Sequence, residues 1–526
     1  MKPRIQIFIL FIIFLSISCN NKTEKKPVLD AIKDEEIVFT GEELAKGYCA
    51  SCHIYPEANL LDKKTWKHGT LPQMGYRMGI YDDTPRQSLI EAGIGGTLVE
   101  EKNIFPLKPI LTKKQWKLIV DYYVKNAPDS LAVPHKVLKM GVKGLKIEIP
   151  EFHISPPMIT AIKYNPELNQ VYIADAKADY STINVLDKNL KSISTLALPS
   201  PISHIDCKSD TIFATLMGGF MPTDAPSGSI IKIFKRPGEN EYTGFSTILK
   251  NIQRPVHATY ADMNGDKKED IIVCEYGNHT GKLSLYLKNN LGQYDKKILS
   301  TDPGATTVTV KDFNQDGLPD IMTLMAQGKE RIDVYYNQGN GNFKVNTLLN
   351  FPSCYGSVSF SIVDWNKDGY DDIIYINGDN ADYSMILKPY HGLRIYLNDG
   401  KNNFTESFFQ HQNGAYKSVC FDFDKDGDLD IALTSFFPDF VNDPQEGFIF
   451  MENISTKDSI KFNLKTFKQA SSGRWLILEK TDFDKNNFPE LLLGSFTGMG
   501  INGDVDGKIG KKFVETSPTI MVLKFD

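Results

Sequence analysis

Five stretches of this chain carry one pattern: DMNGDKKED at residues 262–270, DFNQDGLPD at 312–320, DWNKDGYDD at 364–372, DFDKDGDLD at 422–430 and DFDKNNFPE at 482–490. Each places acidic or amide side chains at positions 1, 3, 5 and 9. Each leads into an apolar run: IIVCEYG, IMTLMA, IIYING, IALTSF or LLLGSF. The starts lie 50, 52, 58 and 60 residues apart. A period of this size means one supersecondary unit used repeatedly, and a four-stranded propeller blade fits it. Upstream, ITAIKYNPELNQVYIADAKADYSTINVLD and ISHIDCKSDTIFATLMGGF keep the strand–turn–strand rhythm without the acidic loop. Counting them predicts seven blades over residues 157–526. A strand at 518–526 or one at 144–149 would close the ring, and closure removes exposed sheet edges.

The loops have a readable chemistry. Ca²⁺ takes six to eight oxygen ligands, and side chains at positions 1, 3 and 5 of a tight turn converge on one point. Position 7 adds a backbone carbonyl and position 9 a carboxylate. The expected ligands are Asp262, Asn264, Asp266 and Asp270; Asp312, Asn314, Asp316 and Asp320; Asp364, Asn366, Asp368 and Asp372; Asp422, Asp424, Asp426 and Asp430; and Asp482, Asp484, Asn486 and Glu490. An EF-hand needs Glu at position 12, where these loops have Val273, Thr323, Tyr375, Leu433 and Leu493. They therefore join two strands. The competing reading is a solvated turn without metal, because Asp and Asn favour turns on their own account. Asn486, Glu490 and Lys267 depart most from the pattern.

The motif resembles the FG-GAP/VCBS-type repeats of integrin-like propellers, over residues 250–500. That resemblance implies a β-propeller with structural Ca²⁺ at the turns between the first and second strands of its blades.

Ahead of the repeats, GYCASCHIYP at residues 47–56 holds Cys49, Cys52 and His53 in the order C-x-x-C-H, the attachment pattern of c-type haem. Two thiols reach the porphyrin vinyl groups, and the next residue places an imidazole on the iron. The alternative is a redox C-x-x-C pair with an incidental His. The flanks predict a small all-α, cytochrome c-like domain over 40–128. Thr40 and Glu43 make a capping box ahead of one helix. Trp116, Ile119, Tyr122 and Tyr123 recur at helical spacing in a second helix lying against the first. The second axial ligand is expected at Met74, with Met78 and then His68 as alternatives. Leu71-Pro72 would form an extended loop before Met74, as in small class I cytochromes. A thioether ligand raises the haem potential.

The N-terminus reads as an export signal. Lys2 and Arg4 precede the apolar core QIFILFIIFL, and SISC ends at Cys19, the expected lipidation site of a bacterial lipoprotein. Ser16 stands where such sites usually have Leu. The expected order is a signal peptide at 1–19, a flexible linker at 20–39, the haem domain at 40–128, a second linker at 129–156, and the propeller. Cys207, Cys274, Cys354 and Cys420 have neither disulfide-framework nor zinc spacing and read as free thiols. The whole layout resembles bacterial lipoproteins that join a cytochrome c to VCBS repeats. The net charge of −6, with mixed signs, excludes the basic stripe of a nucleic-acid binder.

Strands preceding the acidic loops should line the central channel. Their starts place His204, Arg254, His257, Tyr355, Tyr416, Lys417, Arg474 and Trp475 around one mouth, as a ligand site or as channel filling. The functional expectation is a lipid-anchored, extracytoplasmic electron-transfer protein with haem c and Ca²⁺. Its partner would be a redox protein or a small-molecule electron donor. Two alternatives stand beside it: a haem-linked oxidoreductase of a small organic substrate such as a sugar, and a surface adhesion or binding protein.

Overall fold

The computed structural model describes residues 39–82, 84–177, 180–381, 385–457 and 459–525. The expected signal peptide with Cys19 lies outside these residues. Seven antiparallel sheets form in chain order, one for each expected blade. Blades 1 to 5 run Ile159–Leu198, Ile202–Ile252, Pro255–Ser300, Ala305–Asn350 and Ser357–His411. Blade 6 runs Ala415–Thr466, with Lys139–Met140 added parallel to its fourth strand. Blade 7 takes three strands from the end of the chain, Trp475–Thr481, Glu490–Ser495 and Ile520–Phe525. Its outermost strand, Leu145–Glu148, comes from the segment ahead of blade 1. Both expected closing strands are therefore used in one blade. Residues 129–156, read from the sequence as a linker, contribute two propeller strands, because Leu145 and Ile147 pack on the apolar cluster of blades 6 and 7.

Every innermost strand carries an irregularity at the same place. Pairing slips between Ile159 and Ala161, Ile202 and His204, Pro255 and His257, Ala305 and Thr307, Ser357 and Ser359, Ala415 and Lys417, and Trp475 and Ile477. A bulge re-aims the side chains that follow it. Residues before the slip are buried between blades. His204, His257 and Lys417, after it, come together at the channel.

The acidic turns are held by their ninth residue. Asp372 is fully buried; its carboxylate accepts from Trp365 N at 2.9 Å and from Asn398 N, at the end of the third strand, at 2.8 Å. Asp270, Asp320 and Asp430 make the same pair of bonds, to Met263 and Lys288, Phe313 and Asn337, and Phe423 and Asn453. Glu490 makes the first of these bonds, to Phe483 N. Position 6 is left-handed in all five turns; Gly317, Gly369 and Gly427 suit it, whereas Lys267 and Asn487 adopt it with φ of 63° and 64°.

Residues 40–126 contain helices and, among the described residues, no strand. Thr40 and Glu43 form the expected capping box of helix Gly41–Cys49. This helix packs on Lys113–Asn126, so closely that a Cβ on Gly41 would lie 2.2 Å from Leu118 O. Trp116, Ile119 and Tyr123 of the second helix are buried. Leu71–Arg77 is helical, which corrects the expected extended loop. The segment Trp66–Thr70 feeds a continuous helical turn into it, and Pro72 sits in the first turn, where its missing N–H costs nothing.

This helical segment sits on one face of the propeller. Glu91 accepts from Thr223 Oγ1 at 2.9 Å and Asp224 N at 3.0 Å. Asp224, itself fully buried, accepts from Thr280 N at 2.7 Å and His279 N at 2.9 Å. Phe105 meets the His279 ring edge-on at 5.1 Å, and Tyr390 donates to Leu60 O at 2.9 Å. All these propeller residues lie between second and third strands, at the edge where the innermost strands begin. The acidic turns lie at the opposite edge. Among the described residues, no helix is long and apolar enough to cross a membrane.

Replacing Asp372 with Ala would strand two buried N–H groups. A loss on the order of 3 kcal/mol is expected in denaturant unfolding. The loss should be the same with calcium and with chelator; a loss seen only in calcium would show that the carboxylate acts through a metal.

Candidate functional site

Three groups of side chains carry chemistry. The first is the C-x-x-C-H segment. Cys49 is the last residue of its capped helix and is partly buried. Burial pushes its thiol up to about 11, opposed by a hydrogen bond with Tyr123. Cys52 is exposed, and all six described cysteines are free thiols. His53 Nδ1 lies 2.8 Å from Ile54 O. A neutral ring donating from Nδ1 keeps Nε2 as a free acceptor, the state a metal-ligating imidazole needs. Met74 and Met78 pack against the same apolar cluster as Cys49, built on Trp66, Trp116, Ile119 and Tyr123. His68 is exposed and outside that cluster. Trp66 and Tyr123 meet at 4.4 Å with their rings tilted by 38°, and are pinned by bonds to Ala58 O and Pro56 O.

The second group is the acidic turns. Position 1 is used in the same way in all five: one of its oxygens accepts from the N–H of position 5, and the other from that of position 6. What differs is how the remaining charge is met. Asn314, Asn366 and Asn486 each donate an amide N–H to the neighbouring carboxylate at 2.9 Å. Lys268 donates to Asp266 at 3.0 Å. The turn at 422–430 has no such donor. Asp422, Asp424 and Asp426 bring carboxylate oxygens within 4.8 Å of one another, the one such group of three found among the described residues. Lys425 instead lies over the Phe488 ring at 4.3 Å. Asp428, beside this group, is raised to about 6 by burial and by the Asp426 charge.

The third group is in the channel. His204 and His257 lie with ring centroids 4.2 Å apart, near Lys417. One layer further along the innermost strands stand Lys163, Asp206 and Glu479, which the sequence reading missed. Their signal was a charge set within apolar strands, as in ITAIKYN and WLILEKT. Burial, then the Lys163 and Lys417 charges, lowers His204 to about 3. Burial, then His204 and the two lysines, lowers His257 as well.

The other expected mouth residues make the following contacts. Trp475 precedes the bulge of its strand, is fully buried and donates to Ala470 O at 2.8 Å. Arg474 is buried against Phe436 at 4.1 Å and donates to Phe436 O at 3.0 Å; burial lowers it to about 9. Tyr355 stacks on Tyr390 at 5.0 Å beside Arg394. Arg254 lies over Tyr276 at 5.5 Å, and Tyr416 packs on Phe436 at 5.5 Å.

The fold and turns define a seven-bladed β-propeller with FG-GAP-like repeats. The FG-GAP-like repeat family matches residues 262–323 and 312–375, which hold the first three acidic turns. No curated protein matches the chain. Among solved structures, the N-terminal domain of Nup159 is 9% identical, covering 74% of this chain and 98% of that one at a TM-score of 0.41. A protein from Lactobacillus plantarum is 11% identical, covering 58% and 83% at 0.39. A luciferin-regenerating enzyme is 10% identical, covering 72% and 95% at 0.37. Similarity at this level assigns no activity. A propeller of this kind is a scaffold suited to binding.

The imidazoles give a pH signature. They are neutral when folded, while an unfolded His takes up a proton near pH 6.5. Stability should hold above that pH and fall as pH drops below it. The denaturation midpoint of His204→Gln should fall less than wild type between pH 7 and pH 4.5. Equal declines would contradict buried neutral rings.

Proposed function

We propose that this chain is an extracytoplasmic, lipid-anchored c-type haem protein of electron transfer, with its propeller as the docking scaffold. The observation that carries the reading is the placement of C-x-x-C-H at the end of a capped helix, against the apolar cluster that also takes Met74. The donor set fits the group: two free thiols, an imidazole with its Nδ1 engaged, and a partly covered thioether. Cys49 and Cys52 would hold the haem covalently, and His53 and Met74 would ligate its iron. When bound, haem supplies a one-electron Fe(III)/Fe(II) couple. Trp66, Trp116, Ile119 and Tyr123 form an apolar wall that keeps water from this side of the segment. Glu91, Phe105 and Leu60 tie the segment to the propeller, so a partner docked on the propeller meets a donor site at fixed orientation. That partner is a redox protein or a small-molecule electron donor.

The acidic turns are proposed to hold Ca²⁺. The turn at 422–430 is the best-fitted, since its three carboxylates have no side-chain amide or ammonium neutralising them. Such metal would stiffen the edge opposite the helical segment.

Expressed where c-type haem is attached, the full chain should show a haem spectrum that changes reversibly on reduction. Cys49→Ser/Cys52→Ser should lose it. Met74→Ala should lower the potential while Met78→Ala leaves it in place. Absence of covalent haem would overturn the reading, and a shift with Met78→Ala alone would reassign the ligand.

Chelation should lower the thermal midpoint and leave that spectrum intact, because an ion bound only to the folded state stabilises it. Asp424→Asn should shrink the chelation effect. A midpoint indifferent to chelator would make the acidic turns metal-free.

A further inference from the structure

The channel layer formed by His204, His257 and Lys417 has a polar inventory that the fold itself does not use. The ammonium groups of Lys417 and Lys163 have no carboxylate within 4.0 Å among the described residues. His257 Nδ1 is buried without a hydrogen-bond partner. The carboxylates of the next layer are already engaged: Glu479 accepts from Tyr164 N at 3.3 Å, and Asp206 accepts from Cys207 N at 2.8 Å. A buried polar group is normally paired, and a buried charge left unpaired is costly. Five blades would not converge on such an arrangement for packing alone. Ala161, Thr307 and Ser359, at the same level of other blades, are small.

The sign of the layer selects the guest. Two ammonium groups repel a cation, and no third carboxylate, thiol or imidazole joins His204 and His257 in a metal-ligand cluster among the described residues. Neutral imidazoles offer N–H donors, and lysines offer charged ones. A route is present too. A cavity of about 380 Å³ opens at the edge carrying the acidic turns, walled by Lys163, Asp206, Glu479 and Lys480. It leads to the lower layer, on the side away from the helical segment.

We infer that the propeller channel is a binding site for a small oxyanion, a phosphate or a carboxylate. The anion is held by Lys417 with the N–H groups of His204 and His257, and Lys163 stands between it and the entrance. Glu479 tunes the site, competing for both lysines and limiting affinity. This site stands apart from the haem reading, on different residues.

The test is titration calorimetry of the full chain, in calcium-free buffer at constant ionic strength, with inorganic phosphate and with acetate, against chloride. At least one of the two anions should bind. Lys417→Met should weaken that binding about tenfold or more, as loss of a charged hydrogen-bond donor does. Glu479→Gln should strengthen it. Phosphate alone, or acetate alone, would name the guest. No binding of either anion to wild type would overturn the inference, as would equal binding by Lys417→Met. Should Lys417→Met fail to fold, Glu479→Gln decides: unchanged or weaker binding overturns it.

Discussion

One buried carboxylate in each of blades 3 to 7 organises most of this molecule. In blades 3 to 6 the ninth residue of the acidic turn accepts an N–H from the turn and another from the far end of the third strand. That clamp fixes the angle between the first two strands and joins the third to them. It sets how far each innermost strand runs before it turns back. The bulge near the other end of that strand then decides which residues face the axis. Blade 7 has a single bond of this type, from Phe483, and takes its fourth strand from Leu145–Glu148. Ring closure by a segment distant in sequence joins the two ends of the propeller.

The same topology separates two chemistries. Turns between first and second strands place acidic residues at one edge. Connections between second and third strands, more varied in length, build the other edge and carry the helical segment. Glu91, His279 and Tyr390 make that contact polar and directional, while Cys354 and Ile386 extend the helical segment's own apolar cluster. A haem site held this way would share the rigidity of the propeller.

Much of this was legible in the residues. The period of the acidic turns marked five blades, and strand rhythm supplied two more. Thr40 and Glu43 announced a helix start because a capping box satisfies two backbone donors at fixed spacing. Other features were not legible, for physical reasons. The two backbone N–H groups that Asp372 and its equivalents bind did not show in the residues, because one side-chain type serves both a cation and backbone N–H groups. Trp475 read as a mouth residue, because alternation along a strand cannot reveal a bulge one residue later. Lys163 and Glu479 were missed, because a channel is lined by residues that no single blade shows together. Pro72 suggested an extended loop at Met74, although proline is equally at home in the first turn of a helix.

We propose above all that residues 49–53 hold haem covalently, in a segment locked to the propeller. The intact mass of the full chain, purified from cells that attach c-type haem, tests it most directly. The account predicts an excess of one haem, recovered on the peptide containing Cys49 and Cys52 and absent from Cys49→Ser/Cys52→Ser. A wild-type mass equal to that of the polypeptide and its lipid alone would contradict it.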